Sequence, residues 1–230
     1  MTSTRVSWLK RLSSRLPLGV QQELKRWHFA HQLRTGQFTT SEPEYQRLDD
    51  WVRPGDWVID IGANVGHYAL RLSKLVGPAG RVMAFEPVPE TFEILASQIS
   101  AAAAHNVSLF NIAASAKIGV AGVFLPKFTS GLTNYYMASL TPEGSEFNVL
   151  TFPLDALMPL KPITLVKMDV EGHELQALQG MQALLLRDRP RLIVEGRSED
   201  VASFLTRLGY HFIELEASPN RVFERANSHQ

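Results

Sequence analysis

The sequence predicts an α/β protein built on a doubly wound, mostly parallel sheet. From residue 57 onward, short apolar runs alternate with amphipathic stretches, the pattern of parallel strands joined by crossover helices. A loop with two glycines follows the first apolar run, as is common at the ligand-binding edge of such sheets. Two late apolar runs flank Ser218-Pro219-Asn220, which predicts a hairpin that adds an antiparallel pair to the sheet.

Length and composition restrict the class of protein. With 230 residues, the chain suits one large α/β domain and a small appendage, and we assign residues 1–50 to a basic helical appendage and residues 51–226 to the main domain. The formal net charge is zero, so no nucleic-acid partner is expected. The absence of cysteine excludes disulfides, cysteine-ligated zinc and a thiol nucleophile, and favours a reducing compartment. Without a membrane span or a signal-peptide core, we expect a soluble, cytoplasmic protein.

The N-terminal segment is basic. Residues 1–36 contain seven Lys and Arg residues against a single acid, Glu23. Four apolar residues recur there at helical spacing: Trp8, Leu9, Leu12 and Leu16. Pro17-Leu18-Gly19 ends this helix, a second is predicted over residues 20–34, and a third from Pro43 to Trp51. The segment could make weak contact with anionic lipid or RNA. We favour helices docked on their own domain, with solvated basic residues.

The main domain is divided by pattern into its elements. Strands are predicted near residues 57–61, 81–85, 107–111, 163–168 and 191–195, and helices near residues 66–76, 89–103, 172–187 and 199–208. Residues 119–152 are rich in aromatic residues and lack a helical period, so we predict an inserted hairpin or flap with strands near 120–125 and 147–152. The C-terminal hairpin is expected over residues 210–223.

The first two strands end in a pattern suited to a nucleoside-bearing cofactor. Asp60 precedes the loop Gly62-Ala63-Asn64-Val65-Gly66, whose backbone N–H groups can approach a ligand closely. Glu86 ends the second strand, where a carboxylate can accept hydrogen bonds from both ribose hydroxyls. Asp60 would repel a pyrophosphate, so a cofactor with a cationic amino-acid end fits better. S-adenosylmethionine has this character, and a dinucleotide oxidoreductase is the alternative.

A second acidic cluster follows a later strand. Asp169 ends the strand, and Glu171, His173 and Glu174 crowd the start of the next helix. Because the carboxyl ends of parallel strands share one edge, Asp169, Glu171 and His173 are expected to face the cofactor loop. Helix capping explains Glu174 without a functional role. A histidine with two carboxylates could bind magnesium, but we favour hydrogen bonding and predict no metal site.

Together these stretches resemble the FkbM family of S-adenosylmethionine-dependent methyltransferases. The matching motifs are Asp60 to Gly66, Phe85-Glu86-Pro87, Asn111-Ile112-Ala113, Lys167 to Glu174, and Arg189-Pro190-Arg191 to Glu195. The resemblance runs from about Gln37 to Leu215. It implies the class I methyltransferase (Rossmann-like) fold, a seven-stranded, mostly parallel sheet whose last strand is antiparallel.

The resemblance also implies roles for individual residues. Cofactor contacts are expected from Asp60, Gly62, Ala63, Asn64 and Gly66 at the methionine end, from Glu86 and Pro87 at the ribose, and from Asn111 and Ala113 near the adenine. The catalytic candidates are Asp169, Glu171 and His173. The implied reaction is methylation of a hydroxyl on a small-molecule or glycan acceptor, such as a sugar.

Two positions depart from the family pattern. Residues 115–117 are Ser-Ala-Lys where the family often has Gly-Asp, and His173 stands where it often has alanine. The first departure leaves side-chain roles at residues 115–117 unassigned, whereas His173 could be specific to this protein's substrate. A non-catalytic cofactor-binding module, with the basic N-terminus as its interaction surface, is a further alternative.

Overall fold

The computed structural model describes residues 16–129, 131–141, 145–157 and 159–225. The first helix within these residues is Leu18–Arg34. Most of the first predicted helix, including Trp8, Leu9 and Leu12, lies outside the described residues. The helix predicted from Pro43 to Trp51 is instead two short helices, Pro43–Gln46 and Leu48–Trp51. They meet at Arg47, whose backbone (φ −94°, ψ 2°) interrupts the regular helical path.

Eleven strands are found in the described part of the chain. In chain order they are β1 Trp57–Ile61, β2 Arg81–Phe85, β3 Val107–Phe110, β4 Ala113–Ala114, β5 Gly119–Phe124, β6 Ser139–Thr141, β7 Phe147–Phe152, β8 Ile163–Met168, β9 Arg191–Val194, β10 Tyr210–Glu214 and β11 Arg221–Arg225. Seven of them form the main sheet in the order β10-β11-β9-β8-β1-β2-β3. Pairing is parallel from β9 to β3, while β11 is antiparallel to both neighbours. The predicted fold class is confirmed.

Helices cover both faces of this sheet. Those of the main domain are His67–Val76, Pro89–Ala101, Glu174–Gln179, Gln182–Asp188 and Glu199–Arg207. Successive strand residues therefore face different cores: Val58 packs with the helix His67–Val76, whereas Ile59 packs on the opposite side with Leu178. Because both faces are buried, the central strands read as continuous apolar runs.

The helix predicted over residues 172–187 is broken near Gly180. At this residue the chain passes so close to the Ser115 carbonyl that an added Cβ would overlap it. The Gly180 carbonyl also accepts a hydrogen bond from the Asp155 N–H at 2.9 Å. Contact with a distant part of the chain thus overrides a helical pattern that is locally continuous.

Residues 113–152 add a second sheet of four strands, in the order β4-β7-β5-β6. β5 and β7 pair antiparallel at the positions predicted for the inserted hairpin, while β4 and β6 were not predicted. A single 3₁₀ turn, Tyr135–Met137, precedes β6. Val123 and Val149 of this sheet pack with Val88, which follows the end of β2, and this attaches the insertion to the carboxyl edge of the main sheet.

The helix Leu18–Arg34 packs against Pro89–Ala101. Arg26 Nη2 lies 2.7 Å from Glu93 Oε2, and Phe29 makes edge-to-face contacts with Phe38 and His67. These contacts agree with the docked-helix interpretation for this part of the N-terminal segment. Within the described residues, no helix combines the length and apolar character needed to cross a membrane.

Candidate functional site

Acidic residues stand at the carboxyl ends of four adjacent strands. Asp60 is the penultimate residue of β1, and Glu86, Asp169 and Glu195 each directly follow β2, β8 and β9. These strands are neighbours in the order β9-β8-β1-β2, so their ends share one edge of the sheet. A cleft of about 630 Å³, counted out to the solvent, lies over this edge.

The loop after β1 has the left-handed turns that its sequence indicates. Gly62 has φ +72° and lies so close to the Asp169 carbonyl that a Cβ would overlap it. Asn64 has φ +49°, and its Oδ1 accepts a hydrogen bond from the Val65 N–H at 2.8 Å. The N–H groups of Gly62 and Ala63 both donate to the Phe85 carbonyl at 2.9 Å. The loop is thereby held against the end of β2.

Glu86 is a buried carboxylate at the cleft. It is 5% exposed and accepts hydrogen bonds from the backbone N–H groups of Asn64 at 2.9 Å and Val88 at 3.0 Å. Burial raises the pKa of Glu86 to about 7, although both N–H donors oppose the shift. Asn111 Nδ2 donates to the carbonyls of Glu86 and Pro87 at 2.8 and 3.0 Å. Asn111 therefore fixes the turn that carries Glu86.

Asp60 lies behind the cleft. It is fully buried, and neither carboxylate oxygen has a hydrogen bond of ordinary geometry within the described part of the chain. Its cation is Lys167, whose Nζ is 3.8 Å from Asp60 Oδ1, while the Ala69 N–H contributes a weaker interaction. Burial raises the pKa of Asp60 to about 6, with Lys167 opposing the shift.

The predicted cofactor residues therefore fall into two groups. Five line the cleft: Gly62, Asn64, Glu86, Pro87 and Ala113. Four do not line it: Asp60, Ala63, Gly66 and Asn111. The three predicted catalytic residues, Asp169, Glu171 and His173, all line the same cleft. The sequence thus brings together residues that are more than a hundred positions apart.

Lys167 links the two halves of the edge. Its buried Nζ lies 3.1 Å from the Gly62 carbonyl oxygen and 3.3 Å from Asp169 Oδ2. Burial disfavours its charge, but Asp169 and Asp60 outweigh this and raise the pKa of Lys167. The ammonium group therefore stays protonated and holds the end of β8 to the loop after β1.

Asp169 and Glu195 form a carboxyl pair. Burial disfavours the charge of Asp169, yet Lys167 and a hydrogen bond from Glu195 hold the pKa of Asp169 below its usual value. That hydrogen bond, reinforced by burial, raises the pKa of Glu195 to about 9. Near neutral pH, Asp169 is ionised and Glu195 carries the proton.

Glu171 and His173 complete this side of the cleft. Burial and the neighbouring Asp169 raise the pKa of Glu171, whose backbone is left-handed at φ +51°. His173 Nε2 lies within hydrogen-bond distance of Ser115 Oγ, at 2.9 Å, and burial lowers the pKa of His173. The two positions that depart from the family pattern thus contact each other.

The structure also brings to the site residues to which the sequence analysis gave no role. Glu195, which ends the last of the matching motifs, could have been given one because, like Glu86 and Asp169, it is an acid directly after an apolar strand. Tyr135 and Tyr136, from the aromatic-rich insertion, also line the cleft. Lys167 has a weaker signal, a charged residue inside an otherwise apolar strand.

The carboxylates of this edge also have metal-ligand spacing. Oxygen atoms of Asp169, Glu171 and Glu195 lie within 4.8 Å of one another. The ammonium of Lys167, however, already contacts Asp169. This cluster is therefore adequately described by hydrogen bonds and ion pairing.

The cleft fits a nucleoside that carries an amino-acid tail. Glu86 presents a carboxylate to the cleft. Gly62 also lines the cleft, and because it has no side chain the loop exposes its backbone there. Several acids and one buried lysine give the edge a negative bias suited to a cationic ligand. A pyrophosphate would meet the same acids unfavourably. These features match S-adenosylmethionine better than a dinucleotide.

Comparison with known proteins agrees with this geometry. Residues 60–212 match the model of the methyltransferase FkbM domain. The fold is similar to that of a methyltransferase FkbM from Methylobacillus flagellatus, with a TM-score of 0.53 and 18% identity over 80% of this chain and 50% of that one. An S-adenosylmethionine-dependent O-methyltransferase from Thermotoga maritima gives a TM-score of 0.50 and 11% identity over 88% and 73% of the two chains.

At these identities the structural likeness shows the fold alone, and the chain spans only half the length of the Methylobacillus flagellatus protein. The comparison with curated proteins gave no match. The family match is independent of this likeness, extends over most of the main domain and includes every residue that lines the carboxyl edge from Asp60 to Glu195. The chain therefore belongs to the FkbM family of S-adenosylmethionine-dependent methyltransferases.

Proposed function

We propose that the protein transfers the methyl group of S-adenosylmethionine to a hydroxyl of a small acceptor, a sugar or another hydroxylated metabolite. One observation carries this proposal. Residues suited to hold the donor, notably Gly62 and Glu86, line the same cleft as a histidine and an ionised carboxylate, His173 and Asp169. An acceptor hydroxyl needs both a partner that orients it and a group that takes its proton.

The donor would be held by this chain's own loop and strand ends. Glu86 would accept hydrogen bonds from the ribose hydroxyls, and the loop Gly62–Asn64 would hold the methionine end. Pro87 and Ala113 would flank the adenine. When bound, S-adenosylmethionine supplies a methyl group that is already activated by a positively charged sulfur. The protein therefore has to position the acceptor rather than activate the methyl group.

His173 is the proposed base. Burial lowers its pKa, so the imidazole is neutral near pH 7 and can accept a proton. The Ser115 hydroxyl would fix the orientation of the ring through its contact with Nε2. Glu171 is the second candidate, because its raised pKa makes it a better proton acceptor than an ordinary glutamate.

Asp169 is the proposed orienting group. Lys167 and Glu195 keep Asp169 ionised at a low pKa, which makes it a weak base but a strong hydrogen-bond acceptor. A second donor group of the acceptor, such as a neighbouring hydroxyl, would donate to Asp169 and so fix the direction of the reacting hydroxyl while the proton of that hydroxyl moves to His173. Asp169 and His173 would therefore act on different groups of one acceptor.

The test is product analysis with a panel of hydroxylated acceptors. We expect S-adenosylhomocysteine to be released together with an O-methylated product, and chelation followed by addition of magnesium to leave the rate unchanged. A product methylated on nitrogen or carbon would contradict the proposal, as would a protein whose melting temperature does not respond to S-adenosylhomocysteine. The cytoplasmic location, the domain boundary after residue 50 and the absence of a nucleic-acid partner stay predictions.

A further inference from the structure

A second hollow, here called the apolar hollow, lies beside the cleft. It is bordered by the helix Leu18–Arg34, by the helix Pro89–Ala101 and by the insertion residues Phe128, Leu132, Thr133, Tyr135 and Tyr136. Its space is about 1630 Å³, counted out to the solvent. Large apolar side chains dominate its lining: Leu24, Trp27, Ile94, Phe128, Tyr135 and Tyr136.

Several of these side chains remain exposed. Leu24, Trp27 and Phe128 are 48%, 64% and 46% exposed, and all three border the same space. Scattered exposed apolar residues are ordinary, but several around one concave space mark a binding surface. The apolar hollow thus has the character of a site for an apolar ligand.

The apolar hollow adjoins the cleft. Asn64, Tyr135 and Tyr136 line both spaces, so the two tyrosines and the cofactor loop stand at their common boundary. A molecule with a hydroxyl near His173 could therefore extend its remaining part past the tyrosines. This adjacency points to the acceptor as the occupant.

Most of the exposed surface of the apolar hollow is apolar, although polar side chains such as Gln22 and His28 also border it. Lys25 Nζ lies 4.1 Å from the centre of the Tyr135 ring, and the charge of Glu90 opposes the lowering of the Lys25 pKa by burial. Glu90 Oε2 is buried without a hydrogen-bond partner among the described residues. Hydroxyls of an unsubstituted sugar that face the apolar part of this surface would lose their hydrogen bonds to water, which is costly. An aliphatic or aromatic group has no such hydrogen bonds to lose.

We propose that the apolar hollow binds the apolar part of the methyl acceptor. The acceptor is then a hydroxylated molecule that carries an aliphatic or aromatic group, rather than a free sugar. This inference rests on the proposed function, because it places the acceptor hydroxyl in the cleft. It adds a substrate class and a set of residues, on the helix Leu18–Arg34 and the insertion, that determine specificity.

The test uses glucose and the hexyl, heptyl and octyl glucosides below their micelle concentrations, titrated by calorimetry in the presence of S-adenosylhomocysteine. Each added methylene should strengthen binding by about fourfold, whereas glucose should bind weakly. Leu24→Asp and Phe128→Asp should remove this dependence on chain length. Leu186→Asp is the matched control, since Leu186 is 43% exposed on another helix and does not line the apolar hollow.

Three results would overturn the inference. Binding that is independent of chain length in both the wild type and Trp8→Asp would show that no apolar site is used. An unchanged dependence in Leu24→Asp and Phe128→Asp would place the alkyl group elsewhere. Chain-length dependence that is absent from the wild type but gained by Trp8→Asp would show that residues 1–15 themselves fill the apolar hollow.

Failure of the inference can be told apart from failure of the proposed function. If S-adenosylhomocysteine binds and a polar acceptor is O-methylated while chain length has no effect, only the inference fails. If S-adenosylhomocysteine does not bind, the proposed function fails, whatever the glucosides do.

Discussion

Binding of the cofactor product should depend on pH through Glu86. Burial raises the pKa of this carboxyl to about 7 in the ligand-free protein, so much of it is protonated at neutral pH. The ribose hydroxyls would donate hydrogen bonds to the ionised form, and binding should therefore release a proton. Affinity for S-adenosylhomocysteine should then fall as the pH falls below about 7.

The size of the effect follows from proton linkage. Each pH unit below the ligand-free pKa costs at most a factor of about ten when the bound carboxylate stays ionised. Between about pH 8 and about pH 5 the dissociation constant should rise on the order of 10- to 100-fold. Calorimetric titration with S-adenosylhomocysteine over this range measures it directly.

Glu86→Gln isolates the contribution of this side chain. It removes the negative charge at nearly constant shape, so at about pH 8 it should weaken binding by about 1.5–3 kcal/mol, the scale of hydrogen bonds to charged groups. The steep pH dependence should disappear, and any remainder with a midpoint near 6 would belong to Asp60. Glu93→Gln, the same change at an exposed position outside the cleft, should behave as the wild type. Equal affinities of the wild type at both ends of the pH range would refute the reasoning.

Three further predictions concern the same edge. Asp169→Asn should keep S-adenosylhomocysteine binding but lose about 10²-fold or more in both kcat and kcat/KM; wild-type turnover on the true acceptor would contradict its role. Ser115→Ala should lower kcat about tenfold and shift the acidic limb of the pH–rate profile, because His173 loses the contact that orients it, and Ser115→Thr should restore both. The raised pKa of Glu86 means that the folded state binds more protons than the unfolded state. The stability that this proton binding contributes is therefore lost as the pH rises through about 7. The free energy of unfolding of the ligand-free protein should therefore fall between about pH 5 and about pH 8 by roughly 2 kcal/mol more in the wild type than in Glu86→Gln, as measured by urea denaturation.

The central strands of the main sheet could be predicted well from the sequence, because they are buried apolar runs with a local stop signal, whereas the short strands β4 and β6 carry no such pattern. β1 ends at the Gly62 turn, and β2 ends before Pro87, which cannot continue a central strand. The predicted helix over residues 172–187 failed for the opposite reason. Its pattern is continuous, and only the approach of the Ser115 carbonyl to Gly180 interrupts it. Close contacts between distant segments leave no local signal.

The same distinction holds for the site. The acids at the strand ends could be identified because topology alone brings such ends to one edge. The sequence could not show which of these acids face the ligand. Asp60, within β1, is fully buried, whereas Glu86, just after β2, lines the cleft. The Ser115–His173 contact joins the residue after β4 to the residue before the helix Glu174–Gln179, and these two residues lie 58 positions apart. Neither residue alone predicts the other.

The charges of this edge are mutually dependent. Asp60, Glu86, Asp169 and Glu195 cannot all be ionised beside a single buried cation, Lys167, without a large desolvation cost. The protein resolves this by keeping Asp169 charged and raising the pKa of the other three carboxyls by burial or by proton sharing. A ligand with positive charge would stabilise the ionised carboxylates and release these protons, whereas a neutral ligand would do so less. The same acids would therefore favour a cationic donor over its neutral product. This preference should shrink as the pH falls, because the ligand whose binding releases more protons loses more affinity in acid.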